Sequence, residues 1–122
     1  MNILIACEDL RVGGAQVFCL NLGKALGKNH NVYLYSQYRD YVDSELVRCH
    51  YPNARIIAPN IPWDKGVRKL DRLLYKLNID WSLRENFVIR HMRKTISHLN
   101  VQLVHSNMFK SDHLFCRAMK EY

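Results

Sequence analysis

Two adjacent glycines, Gly13 and Gly14, stand where an apolar run gives way to an amphipathic stretch. Glycine lets the backbone turn tightly, and at a helix start it leaves amide donors uncovered at the positive end of the dipole, a setting suited to phosphate. A plain turn needs the same residues, and the position directly after a strand sets the anion site level with that reading. His105 closes a later apolar run. Its imidazole can hydrogen-bond a sugar hydroxyl or a phosphate, or exchange a proton near neutral pH; a packed, hydrogen-bonded histidine is the alternative. Lys110 follows in the next loop and can pair with an anionic ligand or stay solvated. Glu8, Asp9 and Arg11 precede the glycines and either select an acceptor or keep a surface loop soluble.

The elements that must position these residues alternate. Residues 2 to 7 form an unbroken apolar run of strand length, suited to a strand buried on both faces of a parallel sheet. Gly14 to Lys28 carries Val17, Phe18, Leu20, Leu22, Ala25 and Leu26 at helical spacing and ends near Gly27. Val32 to Ser36 is a second strand, Tyr41 to Cys49 a short helix, and Ala54 to Ala58 a third strand closed by Pro59 and Pro62. Val67, Leu70, Leu73, Leu74 and Leu77 then recur on one stripe of a basic helix. Ser82 and Glu85 form a capping-box pattern, so another helix begins at Leu83 and runs through Val88, Met92 and Ile96. Val101 to His105 is the fourth strand, Ser106 to Lys110 a loop, and Ser111 or Asp112 caps a last helix running to Tyr122.

This alternation predicts an α/β fold, a doubly wound parallel sheet of Rossmann-like order 3-2-1-4 in one domain spanning residues 1–122. Strands one and four are then neighbours whose chains leave toward opposite sides. A crevice opens between them at their carboxyl ends, lined by Glu8 to Ala15 and by His105 to Ser111.

Composition removes several function classes. With 122 residues, 48% hydrophobic and 24% charged, the chain has the proportions of one globular domain. Cys7, Cys19, Cys49 and Cys116 lie far apart without a Cys-x-x-Cys pair, so they read as reduced thiols and predict no zinc framework. There is no Gly-x-Gly-x-x-Gly, no phosphate loop ending in Gly-Lys-Ser/Thr, no Asp-x-Asp pair and no histidine pair at metal-ligand spacing. Neither a resident cofactor nor a metal is expected. The start lacks a signal peptide, and no stretch approaches the roughly 20 apolar residues of a membrane span, so a cytoplasmic location is expected.

The net charge is +7, concentrated between Lys65 and Lys94, where nine basic residues face three acidic ones. Arg68, Lys69, Arg72 and Lys76 make this segment a candidate patch for anionic lipid, consistent with a peripheral position on the membrane; a solvated helical face is the plain alternative. Nucleic acid is not expected as a partner, because the aromatics are not interleaved with the basic residues as a stacking platform requires.

Two blocks taken together resemble a known family. The first is Asn2-Ile3-Leu4-Ile5 with Val12-Gly13-Gly14-Ala15-Gln16 and Leu20-Asn21-Leu22-Gly23-Lys24-Ala25-Leu26. The second runs from Val101 through His105-Ser106-Asn107-Met108-Phe109-Lys110-Ser111 to Asp112. Together they resemble the N-terminal, Rossmann-like domain of family 4 glycosyltransferases. The resemblance implies a two-domain GT-B enzyme that moves a sugar from a nucleotide-sugar to a glycan or lipid-linked acceptor, with this chain on the acceptor side. It implies that Gly13 and Gly14 approach the donor diphosphate, that His105 and Asn107 are the candidate catalytic residues, and that Glu8, Arg11, Lys110 and Ser111 lie near the acceptor or the transferred sugar. Asn107 stands where the family's pattern has a second histidine, and an amide hydrogen-bonds without carrying a proton. The resemblance also implies an incomplete first domain and a missing donor domain. A complementing C-terminal domain or partner chain is therefore expected, with no appreciable sugar transfer by this chain alone. The competing expectation is a non-catalytic basic module at a membrane surface or protein interface, with a vestigial cleft.

Overall fold

In a computed structural model that describes residues 1–120, the apolar run Asn2–Cys7 forms strand β1, buried on both faces from Ile3 onward. Helix α1 (Gly14–Leu26) follows, then β2 (Asn31–Ser36), a single 3-10 turn at Arg39–Tyr41, α2 (Ser44–His50) and β3 (Arg55–Ile57). Helices α3 (Asp64–Lys76) and α4 (Leu83–His98) precede β4 (Leu103–Ser106) and α5 (Phe109–Lys120). All strands pair in parallel in the order β3-β2-β1-β4, a Rossmann-like arrangement.

Side-chain alternation along β1 builds both layers. Leu4 and Ala6 pack with Val88, Met92 and Ile96 of α4 and with Leu114 and Phe115 of α5. Ile3, Ile5 and Cys7 face the other way, against Cys19 and Leu20 of α1 and Val47 of α2. The sheet thus carries helices on both faces, and its carboxyl edge lies at Cys7, Ser36 and Ser106.

Helix ends follow local chemistry. Ser82 Oγ accepts from the Glu85 amide at 3.2 Å, as its position predicts, but Glu85 turns away to Arg117. Asp71 of α3 completes the cap instead, accepting from Ser82 Oγ and from the Leu83 and Arg84 amides. Helices α3 and α4 both close on an asparagine in the left-handed region, Asn78 (φ 57°) and Asn100 (φ 48°). The amides after each return to the preceding turn, Ile79 to Leu74 and Val101 to Ile96. Val101 is consumed in that closure, so β4 starts at Leu103, two residues later than the apolar pattern predicts.

The last helix also departs from expectation. Met108 adopts φ 82° and turns the chain directly from β4 into α5, which begins at Phe109. Lys110 and Ser111 are therefore helical. Ser111 neither caps the helix nor lines an open loop: it is fully buried and its Oγ accepts from Gln37 Nε2 at 2.9 Å. Helix α5 is described to Lys120; Tyr122, where the sequence places its end, lies outside the described residues.

Candidate functional site

The loop after β1 is organised by a buried carboxylate. Asp9 accepts from the Arg11 amide, from the Arg11 guanidinium at 2.8 Å and from Gln16 Nε2 at 3.1 Å. Burial works against its charge, but these donors prevail and hold Asp9 below the usual carboxylate value. Arg11 also lies over the Tyr41 ring, 4.3 Å from its centroid. Asp9 and Gln16 together set the entry to α1.

At that entry Gly13 is extended (φ 175°), so its backbone suits any residue. Space decides: a Cβ on Gly13 would fall 2.3 Å from Gln16 Oε1, into the side chain that binds Asp9. A Cβ on Gly14 meets nothing within 4 Å. The first turn of α1, at the carboxyl edge of the sheet, carries no acidic residue and no side-chain cap on its amides.

The segment after β4 meets this loop. The Asn107 amide bonds to the Ala6 carbonyl at 2.9 Å, Gln16 Nε2 reaches Met108 Sδ at 3.8 Å, and Lys110 Nζ lies 3.3 Å from Glu8 Oε1. Burial opposes the charge on Lys110, while Tyr38 and Glu8 raise its pKa above the ordinary lysine value. Glu8, Gly13, Gly14 and Lys110 are thus brought to one edge of the sheet, at the point where the chain leaves β1 and β4 in opposite directions.

Two candidates sit differently from expectation. Asn107 points inward: its Nδ2 lies 3.1 Å from Cys19 Sγ and 3.4 Å from the Ala15 carbonyl, bracing α1 against the β4–α5 connection. The donor group expected to meet a sugar is spent inside the fold. The Cys7 thiol, buried against Cys19, is pushed up from its ordinary value. His105 does not close β4, since Ser106 follows it. It is paired in register with Ile5, exposed on the α1 face, with its ring 6.4 Å from that of Phe18. That places it beside the second turn of α1, below the glycines.

The basic segment divides in two. Arg68 turns inward, ion-paired with Asp64, donating to Tyr41 Oη at 3.2 Å and lying 4.9 Å from the Tyr38 ring centroid. Arg84 is buried, bonded to Asp64 and to the Gln37 carbonyl, with its guanidinium 3.9 Å from the Tyr38 ring centroid. Lys69, Arg72 and Lys76 remain exposed. The leucine stripe divides too: Val67 and Leu74 lean inward, whereas Leu70, Leu73 and Leu77 are 42%, 53% and 61% exposed.

Sequence reasoning did not find the cavity of about 780 Å³ that lies between α3 and the start of α5, walled by Tyr38, Tyr75, Phe109 and His113 among others. Its walls come from residues 37 to 114, and no short-range pattern links them. Gln37, buried just after β2, ties that strand to α5 through Ser111 and, through its carbonyl, to α4 through Arg84.

The chain was compared with protein-family models and with curated proteins, and it matches none of them. Among the described residues no helix is long and apolar enough to cross a membrane.

Proposed function

We propose that this chain is the acceptor-side, N-terminal part of a GT-B glycosyltransferase, working on a nucleotide-sugar donor and a glycan or lipid-linked acceptor. The observation that carries the reading is the uncapped, acid-free start of α1 at Gly14, at the same sheet edge as the Glu8–Lys110 pair, where a parallel sheet has its switch point. In this reading the α1 amides and Lys110 meet the donor diphosphate and offset the charge that grows as the glycosidic bond to it breaks, without a metal. His105 contributes proximity to the sugar, and Asn107 positions the loop through Cys19 and Ala15. The rest of the donor site comes from a complementing C-terminal domain or partner chain, and sugar transfer requires it. The test is equilibrium binding of a panel of nucleotide-sugars to the chain and to Gly14→Val. A Cβ at this position meets nothing within 4 Å, so valine should be tolerated by the fold while its branches crowd the space before the amides, and binding should be lost. Detectable binding that Gly14→Val leaves unchanged would remove the diphosphate assignment.

A second reading, a module at an anionic membrane surface, is favoured by one observation: α3 presents Leu70, Leu73 and Leu77 to solvent alongside Lys65 and Lys69. An apolar stripe flanked by lysines is the chemistry of a helix lying in a bilayer interface. It gives the protein a peripheral position on the cytoplasmic face, compatible with the first reading. Vesicle flotation with and without anionic lipid tests it, and flotation insensitive to lipid charge would remove it.

A further inference from the structure

We propose that the groove between α3 and the start of α5 binds a phosphate-bearing amphiphile, its phosphate on Arg72 and Lys76 and its apolar body along Tyr75 and Phe109. The groove encloses about 780 Å³, enough for a small ligand. Charge accounting around it singles out two cations. Of the lining carboxylates, Asp71 is taken up by the α4 cap and Glu85 by Arg117. Of the lining cations, Arg68 and Arg84 are paired with Asp64, and Lys110 with Glu8. Arg72 and Lys76, one turn apart on α3, line the groove with no ion pair among the described residues.

A guanidinium fork beside an ammonium suits a phosphate better than a single carboxylate, because the dianion can take donors from both at once. Tyr75 and Phe109 are 83% and 84% exposed, and with Tyr38, Val88 and Leu114 they give the groove aromatic and aliphatic walls. Apolar side chains lining the same groove as two cations suit a molecule with one charged end, not a free inorganic ion. Identifying the occupant as the acceptor rests on the glycosyltransferase reading above; the binding itself does not, since it uses no residue of the Gly13–Gly14 entry.

The experiment is titration of the full chain with hexyl phosphate, inorganic phosphate, hexanol, and phosphatidylcholine vesicles with and without phosphatidic acid. The variants are Arg72→Gln/Lys76→Gln, Phe109→Ala and, as an equal charge change outside the groove, Lys24→Gln/Lys28→Gln at the far end of α1. All are surface changes, and circular dichroism checks that each folds. Hexyl phosphate should bind more tightly than inorganic phosphate or hexanol. Loss of both groove cations should weaken it at least about tenfold, as expected for charge-assisted bonds. Phe109→Ala should weaken it about threefold or more, and the Lys24→Gln/Lys28→Gln variant should leave it unchanged. Inorganic phosphate binding as tightly as hexyl phosphate would overturn the amphiphile assignment. Equal losses in the two double variants, or binding seen only with phosphatidic acid vesicles, would overturn the groove in favour of a diffuse field or a bilayer surface. Nucleotide-sugar binding, measured in parallel, reports on the Gly13–Gly14 entry, so the two proposals fail separately.

Discussion

Glu8 Oε1 and Lys110 Nζ stand 3.3 Å apart, joining the loop after β1 to the first turn of α5 across the carboxyl edge of the sheet. The lysine is largely solvent-exposed, so the pair adds little to stability, within about 1 kcal/mol. Its proposed value is to hold a cation beside the start of α1. Lys110→Gln should therefore leave the urea midpoint nearly unchanged while lowering nucleoside diphosphate affinity, and the wild-type affinity should fall with added salt. An unchanged affinity in the variant would take Lys110 out of the site.

The two glycines should respond in opposite ways to alanine. At Gly13 the new methyl displaces Gln16 from Asp9, costing about 1 kcal/mol, the worth of the hydrogen bond lost. At Gly14, the first helical residue, the methyl meets open space and the unfolded chain loses freedom, so stability should hold or rise by up to about 1 kcal/mol. Urea denaturation of both variants checks the pair, and equal effects would contradict the packing described at Gln16.

Acid should weaken the fold in two steps. Burial, with Arg39 and Lys94 adding to it, lowers the pKa of His91, whose Nδ1 lies 2.8 Å from Tyr35 Oη. The unfolded chain then binds the proton more readily. His91's contribution is complete above the ordinary histidine value and is lost as the pH falls through it toward the depressed folded value. Asp9, also depressed, acts in a lower window, below the ordinary carboxylate range. His91→Gln should flatten the fall in urea midpoint between about pH 7.5 and 5.5 without altering the later loss. An identical slope in wild type and variant would count against the His91 account.

The exposed stripe of α3 should be dispensable to folding. Leu73→Ser should change stability by no more than about 0.5 kcal/mol, whereas Met92→Ala, in the core beneath α4, should cost about 2 to 5 kcal/mol. If Leu73→Ser destabilises as much as Met92→Ala, the stripe is packed in solution and the membrane-surface reading loses its basis.

Much of the frame was legible in the residues because its signals are local. The apolar run to Cys7, the Ser82 cap and the Val-Tyr-Leu-Tyr-Ser strand each declare themselves within a few positions, and the order 3-2-1-4 follows from their alternation. What escaped is set by distant partners. Ser111 reads as a cap until Gln37, far along the chain, takes its hydroxyl. Arg68 reads as one of four surface cations until Asp64 and the Tyr38 and Tyr41 rings draw it inward. Asn107 reads as a sugar contact until Cys19 and Ala15 claim its amide. Position in the sequence alone put Glu8, Gly13, Gly14 and Lys110 at one edge of the sheet, whereas the groove, walled by residues far apart in the chain, was not legible.

The most direct test of one shared crevice is an amide-resolved NMR titration of the nitrogen-15-labelled chain with UDP and GDP. Resonances of Gly14, Ala15 and Gln16 should shift together with those of Met108 to Ser111, with one common saturation curve. Shifts confined to one of the two segments, or absent from both while another surface responds, would contradict the account.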